Sequence, residues 1–597
     1  MSLFDQNIMQ LYNTPIKSLR SGDLFMAFSY PTKISPETIA IYILTHTKPG
    51  DTVLDVFGGS GTTGLATLLC DTPNKKLLDL VSELNLDVEF GPRKAIISEL
   101  SGLGAFVSQI MTSKVDSKRF KVEADSLIER VKNRVSTLYD THDDEGNKGI
   151  IRHVIHTEFL ICPSCKKETS FGEACVKFEP VSISSHWQCL ECNQKHSTQK
   201  SERVMEFVFD PFLEKEVYVR KRRPFLIYGK TKKKSWRRKA TETDFLECDY
   251  SSIMQKDVIP ISKMNWGDLH RNGYHEGINF LHDFYTSRNL TVISVFWDEI
   301  KRAKKEFHDA LKLWILSYNA AHSTKMTRVV LKKDQKDFIL TGAQPGVLYI
   351  SSLPVEKNII NGLQRKITTF KKAFETVEFS NSSVKTFWGS SSSIQIPNRS
   401  IDYVFTDPPF GDYIPYSELN FISEAWLGRI TNNKEEAIIS NSQGKDVSDY
   451  EALLTSVFRE VQRVTKQTSY ISVVFHSASS KVWNALYSTF NNSDLIVTNS
   501  SVLDKHQASF KQTNSTISVK GDAVLLLTKG KSLVGSNLHD VDQIIEKLIS
   551  DAILKNDPLE VEKERLYSRY VGHCMSNQIE IGIDAKEFYS KVTGIQK

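Results

Sequence analysis

The stretch Asp55-Val56-Phe57-Gly58-Gly59-Ser60-Gly61-Thr62-Thr63-Gly64 decides the fold of this chain. An apolar run typical of a short strand, Thr52 to Val56, leads into it, and a run typical of a helix, Thr63 to Cys70, follows. Glycine is needed where a backbone turns tightly or approaches a ligand closely. The helix start adds free N–H groups and the positive end of the helix dipole. The stretch therefore predicts a strand, a turn and a helix, with a ligand beside the turn.

The spacing of the glycines leaves the identity of this ligand open. A phosphate-binding loop requires a Lys after its last Gly, and no Lys follows Gly61. Gly59, Gly61 and Gly64 fit the pattern G-x-G-x-x-G, so a nicotinamide dinucleotide is one alternative. A tight turn without a ligand is another. Glu99, which follows the predicted strand Lys94 to Ser98, could accept hydrogen bonds from ribose hydroxyl groups.

Predicted helices and strands alternate on both sides of a long central segment. This alternation is typical of βαβ units with a parallel sheet, so the sequence predicts one Rossmann-like α/β domain that is split by an insertion. The predicted parts are the first half of the domain (1–112), a helical linker (113–150), a segment with paired cysteines (151–200), a basic insertion (201–380), the second half of the domain (381–535) and a helical tail (536–597).

A second motif, Asp407-Pro408-Pro409-Phe410, follows the predicted strand Ile401 to Thr406. The prolines fix the backbone, remove two N–H donors and hold the preceding residues extended. The Asp407 carboxylate and the neighbouring carbonyls then form a rigid set of acceptors, with the Phe410 ring beside them. Such acceptors suit an exocyclic amine of a nucleobase, which donates two hydrogen bonds. The alternative is a loop after a buried strand, with Asp407 as a helix cap.

Four cysteines have the spacing C-x2-C-x23-C-x2-C: Cys162, Cys165, Cys189 and Cys192. Two such turns can place four thiolates around one tetrahedral zinc ion, and a complete thiolate shell indicates a structural site. Disulfides are the alternative, which a cytoplasmic location disfavours. No run of about 18 apolar residues predicts a membrane span. The amino terminus lacks the features of a signal peptide, so we expect a cytoplasmic protein with no membrane partner.

Between Lys215 and Lys239 the chain carries twelve Lys or Arg residues and one acid, a net charge of +11, whereas the whole chain carries only +5. Aromatic residues are interleaved, among them Trp236. A solvated charged face is the ordinary interpretation of such a run. Beside a nucleic-acid enzyme it would form a surface that contacts phosphates.

The two motifs together resemble the amino-methyltransferases that act on DNA. DVFGGSGTTGLA resembles their cofactor motif, TDPPF their catalytic tetrapeptide, and Tyr30-Pro31-Thr32-Lys33 the segment near the methionine part of the cofactor. The motif order, with a long insertion between, resembles the alpha class, which carries its target-recognition domain there. The stretches 411–428 and 504–515 resemble adenine-specific DNA methylases that contain a zinc ribbon.

The resemblance implies a class I methyltransferase fold, S-adenosylmethionine as cofactor, double-stranded DNA as substrate and N6 of adenine as the target. A cognate restriction endonuclease or another defence-system subunit is an expected partner. The catalytic residues implied are Asp407, Pro408, Pro409 and Phe410. The cofactor-binding residues implied are Thr32, Lys33, Asp55, Phe57, Gly58, Gly59, Gly61, Thr62 and Glu99. Cytosine N4 as target, an RNA base methyltransferase, and a non-catalytic zinc-ribbon DNA-binding protein are the alternatives.

The sequence departs from this family pattern at two positions. Phe410 stands where many relatives have Tyr, so a stacking ring is kept but a hydroxyl is lost. Ser390 stands where relatives often have an acidic residue that contacts the adenine of the cofactor.

Overall fold

The computed structural model describes residues 3–18, 21–135, 137–232, 234–245, 250, 252–332, 335–505, 521–531, 541–554 and 559–595. Most of the stretch 504–515, whose sequence resembles the zinc-ribbon methylases, lies outside the described residues. The chain forms two compact units. We call residues 1–117 and 372–597 the core unit, and residues 118–371 the inserted unit. None of the helices in the described ranges is both long enough and apolar enough to cross a bilayer.

An eight-stranded mixed sheet forms the centre of the core unit. Its strands are β1 (Ile16–Ser18), β2 (Thr52–Asp55), β3 (Lys94–Glu99), β4 (Ser383–Trp388), β5 (Ile401–Thr406), β6 (Thr465–Phe475), β7 (Leu495–Lys505) and β8 (Asp522–Lys529). Their order across the sheet is β4-β3-β2-β5-β6-β8-β7-β1. The strands from β4 to β6 are parallel, whereas β8 is antiparallel to both of its neighbours. This arrangement is compatible with a methyltransferase fold.

Helices cover the sheet of the core unit. They span Leu3–Asn13, Asp23–Met26, Pro36–His46, Thr62–Leu69, Lys75–Glu83, Gly102–Met111, Tyr416–Leu419, Phe421–Leu427, Val447–Val464, Ser480–Asn491, Val541–Leu554, Lys563–Ser576 and Ala585–Ile595. The local sequence explains one of them clearly: Asp446 caps the helix Val447–Val464 by accepting from the backbone N–H groups of Ser448 and Asp449. Its buried residues recur every three or four positions, as an amphipathic helix requires.

One apolar cluster joins the sheet to the end of the chain. It contains Leu54, Val404 and Leu525 of the strands together with Leu566 and Phe588 of the last helices. Residues 541–554 and 559–595, for which the sequence predicts only a helical tail, thus contribute side chains to the same core as β5.

The inserted unit has a sheet of its own, formed by Ser235–Lys239, Arg222–Lys230, Lys148–Ile161 and Val355–Lys357, with Asp140–His142 and Glu168–Ser170 paired to its longest strand. Four hairpins accompany it: Val176–Phe178 with Val181–Ile183, His186–Gln188 with Lys195–Ser197, Met205–Asp210 with Lys215–Arg220, and Arg328–Val330 with Ile339–Thr341. Its longer helices span Ser287–Glu299 and His308–Tyr318, and a π-helical turn, Asn319–Ser323, follows. The helix Ile359–Val377 begins in this unit and ends in the core unit.

Residues 113–150, for which the sequence predicts a helical linker, include a helix and the start of a long strand. The helix Ser117–Arg134 buries Phe120, Leu127 and Val131 on one face, and the long strand Lys148–Ile161 crosses the predicted border at residue 150. This segment therefore packs as part of a compact unit, because its apolar residues recur at helical spacing and need a partner surface.

Candidate functional site

The topology of the sheet creates a crevice beside β2 and β5. These two strands are parallel neighbours, with Val53 opposite Tyr403 and Leu54 opposite Val404. From β2 the chain continues to β3 and β4 on one side, and from β5 it continues to β6 on the other. In open α/β sheets, ligands bind at the carboxyl ends of the strands where the order reverses in this way. The glycine-rich turn and Asp407 both begin at this point.

Asp55 connects the two motifs. Its Oδ1 accepts hydrogen bonds from the Thr406 hydroxyl at 2.8 Å and from the backbone N–H of Phe57 at 3.1 Å. Its Oδ2 accepts from the Thr63 hydroxyl at 2.6 Å. Burial raises the pKa of Asp55, and these donors oppose that effect. Because Thr406 directly precedes Asp407, the Asp55 carboxylate fixes the end of β5 relative to the glycine-rich turn.

The glycines of the turn serve different purposes. A Cβ on Gly58 would come within 2.1 Å of the Ile97 side chain, and one on Gly61 within 2.4 Å of Ser108. Gly61 also has a φ of +78° at the start of the helix Thr62–Leu69, and it is not among the residues that line the cavity. Gly59, with a φ of +48°, does line it, beside Ser60. Gly61 thus has a conformational role, and its contact with the cofactor stays a prediction.

Glu99 holds the turn from the neighbouring strand. Its Oε2 accepts from the backbone N–H of Gly59 at 2.6 Å, and its Oε1 accepts from that of Ser101 at 2.7 Å. Burial raises the pKa of Glu99 to about 8, and the nearby carboxylates of Asp55 and Glu424 add to the shift. Glu99 lines the cavity, and its contact with a ribose stays a prediction.

Tyr30, Thr32 and Lys33 also line the cavity. The Tyr30 ring stacks on that of Tyr416 with a 14° interplanar angle, and the Thr32 hydroxyl lies 3.0 Å from the Tyr416 hydroxyl. The Lys33 ammonium donates to the carbonyl of Leu24 at 3.1 Å. Lys33 is therefore buried at the edge of the cavity, with its charge held by backbone carbonyls.

The second motif lines the same cavity through Asp407, Pro408, Pro409 and Phe410. The Tyr450 hydroxyl donates to the Pro409 carbonyl at 2.6 Å. The Phe410 ring packs edge-on against Phe475, with ring centres 5.4 Å apart. Side chains of β6 and of the helix Val447–Val464 thus hold the tetrapeptide in place.

The cavity is open to solvent, and both motifs line it. Of the predicted cofactor residues, Thr32, Lys33, Asp55, Phe57, Gly58, Gly59, Thr62 and Glu99 line it.

The sequence analysis did not identify Glu424 as part of this region. Its buried carboxylate accepts from the Ser101 hydroxyl at 2.7 Å, the Leu103 N–H at 3.1 Å and the Thr431 N–H at 2.9 Å. Glu424 thereby connects the helix Phe421–Leu427, which follows the second motif, to the loop after Glu99. The signal in the sequence was one acidic residue inside the apolar run FISEAWL.

The loop after β4 is rich in serine. Ser390, Ser391 and Ser392 line the cavity there. The Ser391 hydroxyl donates to the Val56 carbonyl at 2.6 Å, so it fixes the loop against the end of β2. The polar groups that this loop offers to a ligand include hydroxyl oxygens.

Residues 5–71 match a family model of the N6/N4 type described as DNA methylase. The matched residues include β2, the glycine-rich turn and the helix after it. The match supports a DNA methyltransferase of the N6/N4 type, with DNA as its substrate. No curated protein gives a significant match to the chain.

In the inserted unit, the sulfur atoms of Cys162, Cys165, Cys189 and Cys192 all lie within 4.8 Å of one another. Cys162 and Cys192 are 3.6 Å apart, as are Cys165 and Cys189. Four thiolates at 2.3 Å around a tetrahedral ion would be about 3.8 Å apart. The cluster could therefore hold a zinc ion.

The basic stretch is largely neutralised within the inserted unit. In its described part, seven cations form ion pairs with carboxylates: Arg220, Lys221, Arg222, Arg223, Lys234, Arg237 and Arg238. Arg220 and Arg222 are held by the buried Glu158. The candidates for the predicted phosphate contacts of this stretch are its exposed lysines, such as Lys230 and Lys232.

Proposed function

We propose that this protein is an S-adenosylmethionine-dependent DNA methyltransferase that methylates N6 of adenine in a base flipped out of double-stranded DNA. The observation that carries the proposal is that the glycine-rich turn and Asp407-Pro408-Pro409-Phe410 line one cavity at the reversal of strand order. A dinucleotide enzyme would account for the turn, but it would leave the second motif without a role.

The residues of the cavity fit S-adenosylmethionine. Acceptors for ribose hydroxyls and for an amine are present at Glu99 and at Ser390 to Ser392, and the carboxylates at the cavity suit a cationic ligand. Glu99 would bind the ribose, the backbone of Phe57 to Gly59 would approach the ligand closely, and Thr32 would lie near its methionine part. The bound cofactor supplies an electrophilic methyl group on sulfur.

Asp407 and the Pro408 carbonyl would accept the two hydrogen bonds of the target amine. Acceptors on both hydrogens favour a pyramidal nitrogen, whose lone pair can attack the methyl group in line. The N–C bond forms as the S–C bond breaks, S-adenosylhomocysteine leaves, and one amine proton is lost to solvent. Phe410 would stack on the base, and stacking of about 1–3 kcal/mol offsets part of the cost of extruding it. Catalysis would arise mainly from positioning and electrostatic alignment.

The finer assignments belong to the same proposal. The order of the motifs around the inserted unit favours the alpha class, with target recognition in residues 201–380. The cysteine cluster would hold a structural zinc ion in a ribbon. Asp at the head of the tetrapeptide favours adenine over cytosine N4. A cytoplasmic enzyme of a restriction-modification or related defence system, with a partner endonuclease, would use this activity.

Methyl transfer from labelled S-adenosylmethionine to duplex DNA, with tRNA as the competing substrate, tests the proposal. Mass spectrometry of the digested nucleosides separates N6-methyladenine from N4-methylcytosine, and single-molecule sequencing of DNA from expressing cells gives the sequence context. We expect N6-methyladenine in one short motif. Transfer to tRNA alone, or cofactor binding without transfer to any DNA, would refute it.

A further inference from the structure

Trp388 is exposed beside the cavity that both motifs line. It is the last residue of β4, an edge strand of the sheet, and it lies opposite Glu99 in the register with β3. Its indole N–H donates to the carbonyl of Leu100 at 3.2 Å, and Leu100 lines the cavity. Trp388 is not among the lining residues, and 46% of its surface stays exposed. The ring therefore forms a surface just outside the wall of the cavity.

The guanidinium group of Arg429 lies next to this ring. Its Cζ atom is 5.6 Å from the centre of the Trp388 ring and 5.4 Å from that of the Phe106 ring. One of its N–H groups donates to the side-chain oxygen of Gln109 at 3.1 Å. Arg429 is half-buried, and Thr431, two residues further on, lines the cavity. Two separate segments of the core unit thus bring a cation and an exposed aromatic ring together.

Neutral groups hold the charge of Arg429. Among the residues that the structure describes, no carboxylate forms an ion pair with it, and its partners are two rings and an amide oxygen. Elsewhere in the core unit, by contrast, Arg463 is paired with Glu460 and Arg565 with Glu560. A guanidinium carries several N–H donors, so contacts of this neutral kind leave donors for an anion.

The place of the pair in the sheet puts it beside the ligand site. The strands β4, β3, β2 and β5 are parallel, so their carboxyl ends lie along one edge of the sheet. Trp388 ends β4 at the same edge where β2 leads into the glycine-rich turn and β5 leads into Asp407. A base that reaches Asp407 would bring the nucleotides that flank it to this edge.

We propose that Trp388 and Arg429 form a contact site for a nucleotide of the DNA strand that passes beside the cavity. Arg429 binds a backbone phosphate, and the Trp388 ring packs on the adjoining sugar and base. The proposal rests on the proposed function, because that function supplies DNA as the ligand. It adds a site in the core unit that belongs neither to the two motifs nor to the basic stretch.

A nucleotide of DNA offers both of the groups that this pair can bind. Phosphate oxygens accept charge-assisted hydrogen bonds from a guanidinium, and they supply the negative charge that the described partners of Arg429 lack. An aromatic side chain can stack on any base, because every base has a flat face. A small anion would leave the Trp388 ring without a partner, and an apolar ligand would leave the charge. Contacts of this kind position DNA without reading its sequence.

The salt dependence of DNA binding separates the two contributions. We would measure the affinity of the full-length protein for a fixed duplex by fluorescence anisotropy at several salt concentrations. Arg429→Gln removes one phosphate contact, so the slope of log Kd against log salt concentration should fall by about 0.9. Arg429→Lys keeps the charge and should retain the wild-type slope. Trp388→Leu should also retain the slope, but its affinity should be about 5-fold to 100-fold weaker at each salt concentration, because stacking is lost.

Two matched controls lie at the opposite edge of the sheet. Arg399→Gln removes an exposed guanidinium just before β5, and Phe379→Leu removes an exposed ring shortly before β4. Because these two strands begin there and end beside the cavity, both variants should bind DNA with the wild-type slope and affinity. Affinity for S-adenosylmethionine, measured by calorimetry, should be that of wild type in Arg429→Gln, because Arg429 does not line the cavity.

A wild-type slope in Arg429→Gln, with normal methyl transfer, would overturn the site and leave the proposed function standing. A loss of S-adenosylmethionine affinity in Trp388→Leu that matches its loss of DNA affinity would assign the ring to the cavity wall, and would also overturn the site. Binding of adenosine monophosphate that Arg429→Gln abolishes, with an unchanged DNA slope, would assign the pair to a free nucleotide instead. A wild type that neither binds nor methylates DNA would overturn both proposals.

Discussion

The Thr406 hydroxyl donates a hydrogen bond to the Asp55 carboxylate across 351 positions of the chain. Thr406 is the last residue of β5, and Asp55 is the last of β2. This contact joins the ends of the two strands that lead into the glycine-rich turn and into the tetrapeptide Asp407-Pro408-Pro409-Phe410. The geometry of the site therefore depends on a side-chain contact between halves of the domain that are separated by the inserted unit in sequence.

Thr406→Val should weaken this connection. The buried Asp55 would lose one of its three donors, which destabilises the protein by about 1–3 kcal/mol. Chemical denaturation and calorimetric binding of S-adenosylmethionine would measure the losses of stability and affinity. The matched control is Thr489→Val, because the buried Thr489 hydroxyl has no hydrogen-bond partner among the described residues. Equal effects of the two substitutions would contradict the role of Asp55.

Asp407→Ala should abolish methyl transfer but leave cofactor binding nearly unchanged. The carboxylate would contact the target amine and not the cofactor, and removal of one oriented partner of this kind lowers kcat by about 10²–10³. Single-turnover transfer and calorimetry separate the two effects. Asp412→Ala changes an exposed carboxylate nearby and should retain wild-type activity. Full activity of the Asp407 variant would remove the catalytic assignment.

Glu99→Gln should change how stability depends on pH. Burial raises the pKa of Glu99 from 4.5 to about 8, so between these values the folded protein holds a proton that the unfolded chain releases. Stability then falls as the pH rises through this window. The variant has no carboxyl group at this position and therefore lacks this loss of stability. The difference in melting temperature between Glu99→Gln and wild type should shift in favour of the variant by about 2–4 °C when the pH is raised from 5 to 8.

The same variant should bind S-adenosylmethionine about 10-fold to 100-fold more weakly, because the Gln NH2 group replaces one of the two oxygens that accept from the Gly59 and Ser101 N–H groups. Glu83→Gln, on an exposed helix end, is the control for both measurements. A parallel pH dependence in wild type and Glu99→Gln would show that Glu99 does not carry this proton.

Substitution of Cys189 by Ser should reduce the bound zinc from one ion per chain to a small fraction, as measured by elemental analysis. A structural zinc site contributes folding free energy, so the variant and a chelated wild type should both melt at lower temperature. Cys175→Ala replaces a buried cysteine outside the cluster and should keep the zinc. A metal-free protein that is as stable as the zinc-loaded one would exclude the structural role.

The elements that the sequence predicts well are those with strong local signals. The glycine-rich turn lies between a predicted strand and a predicted helix, and its glycines indicate a tightly turning backbone. The two prolines of the tetrapeptide restrict the backbone of their own segment. The cysteine spacing likewise identifies the four residues whose sulfur atoms form the cluster. The inserted unit was harder to predict, because its boundaries depend on which apolar faces find partners, as Phe120 and Leu127 show.

Other assignments required the tertiary structure. Only the structure shows that the Lys33 ammonium donates to the Leu24 carbonyl. Only the structure shows that Gly61 has a positive φ at the start of a helix. The charges of Arg220 and Arg222 are neutralised by Glu158, which lies more than 60 positions away. The sequence gives the charge of a side chain, but the packing of the folded chain determines which residue forms an ion pair with it.

The amino-acid sequence by itself determined the two motifs, the paired cysteines and the α/β pattern, because each follows from backbone restrictions and periodicity within a few residues. Only the tertiary structure decided that both motifs line one cavity, that Glu424 and Asp55 hold it together, and that Glu158 pairs with Arg220 and Arg222. These properties depend on contacts between distant segments, whose free energy comes from burial and is not encoded in any single segment.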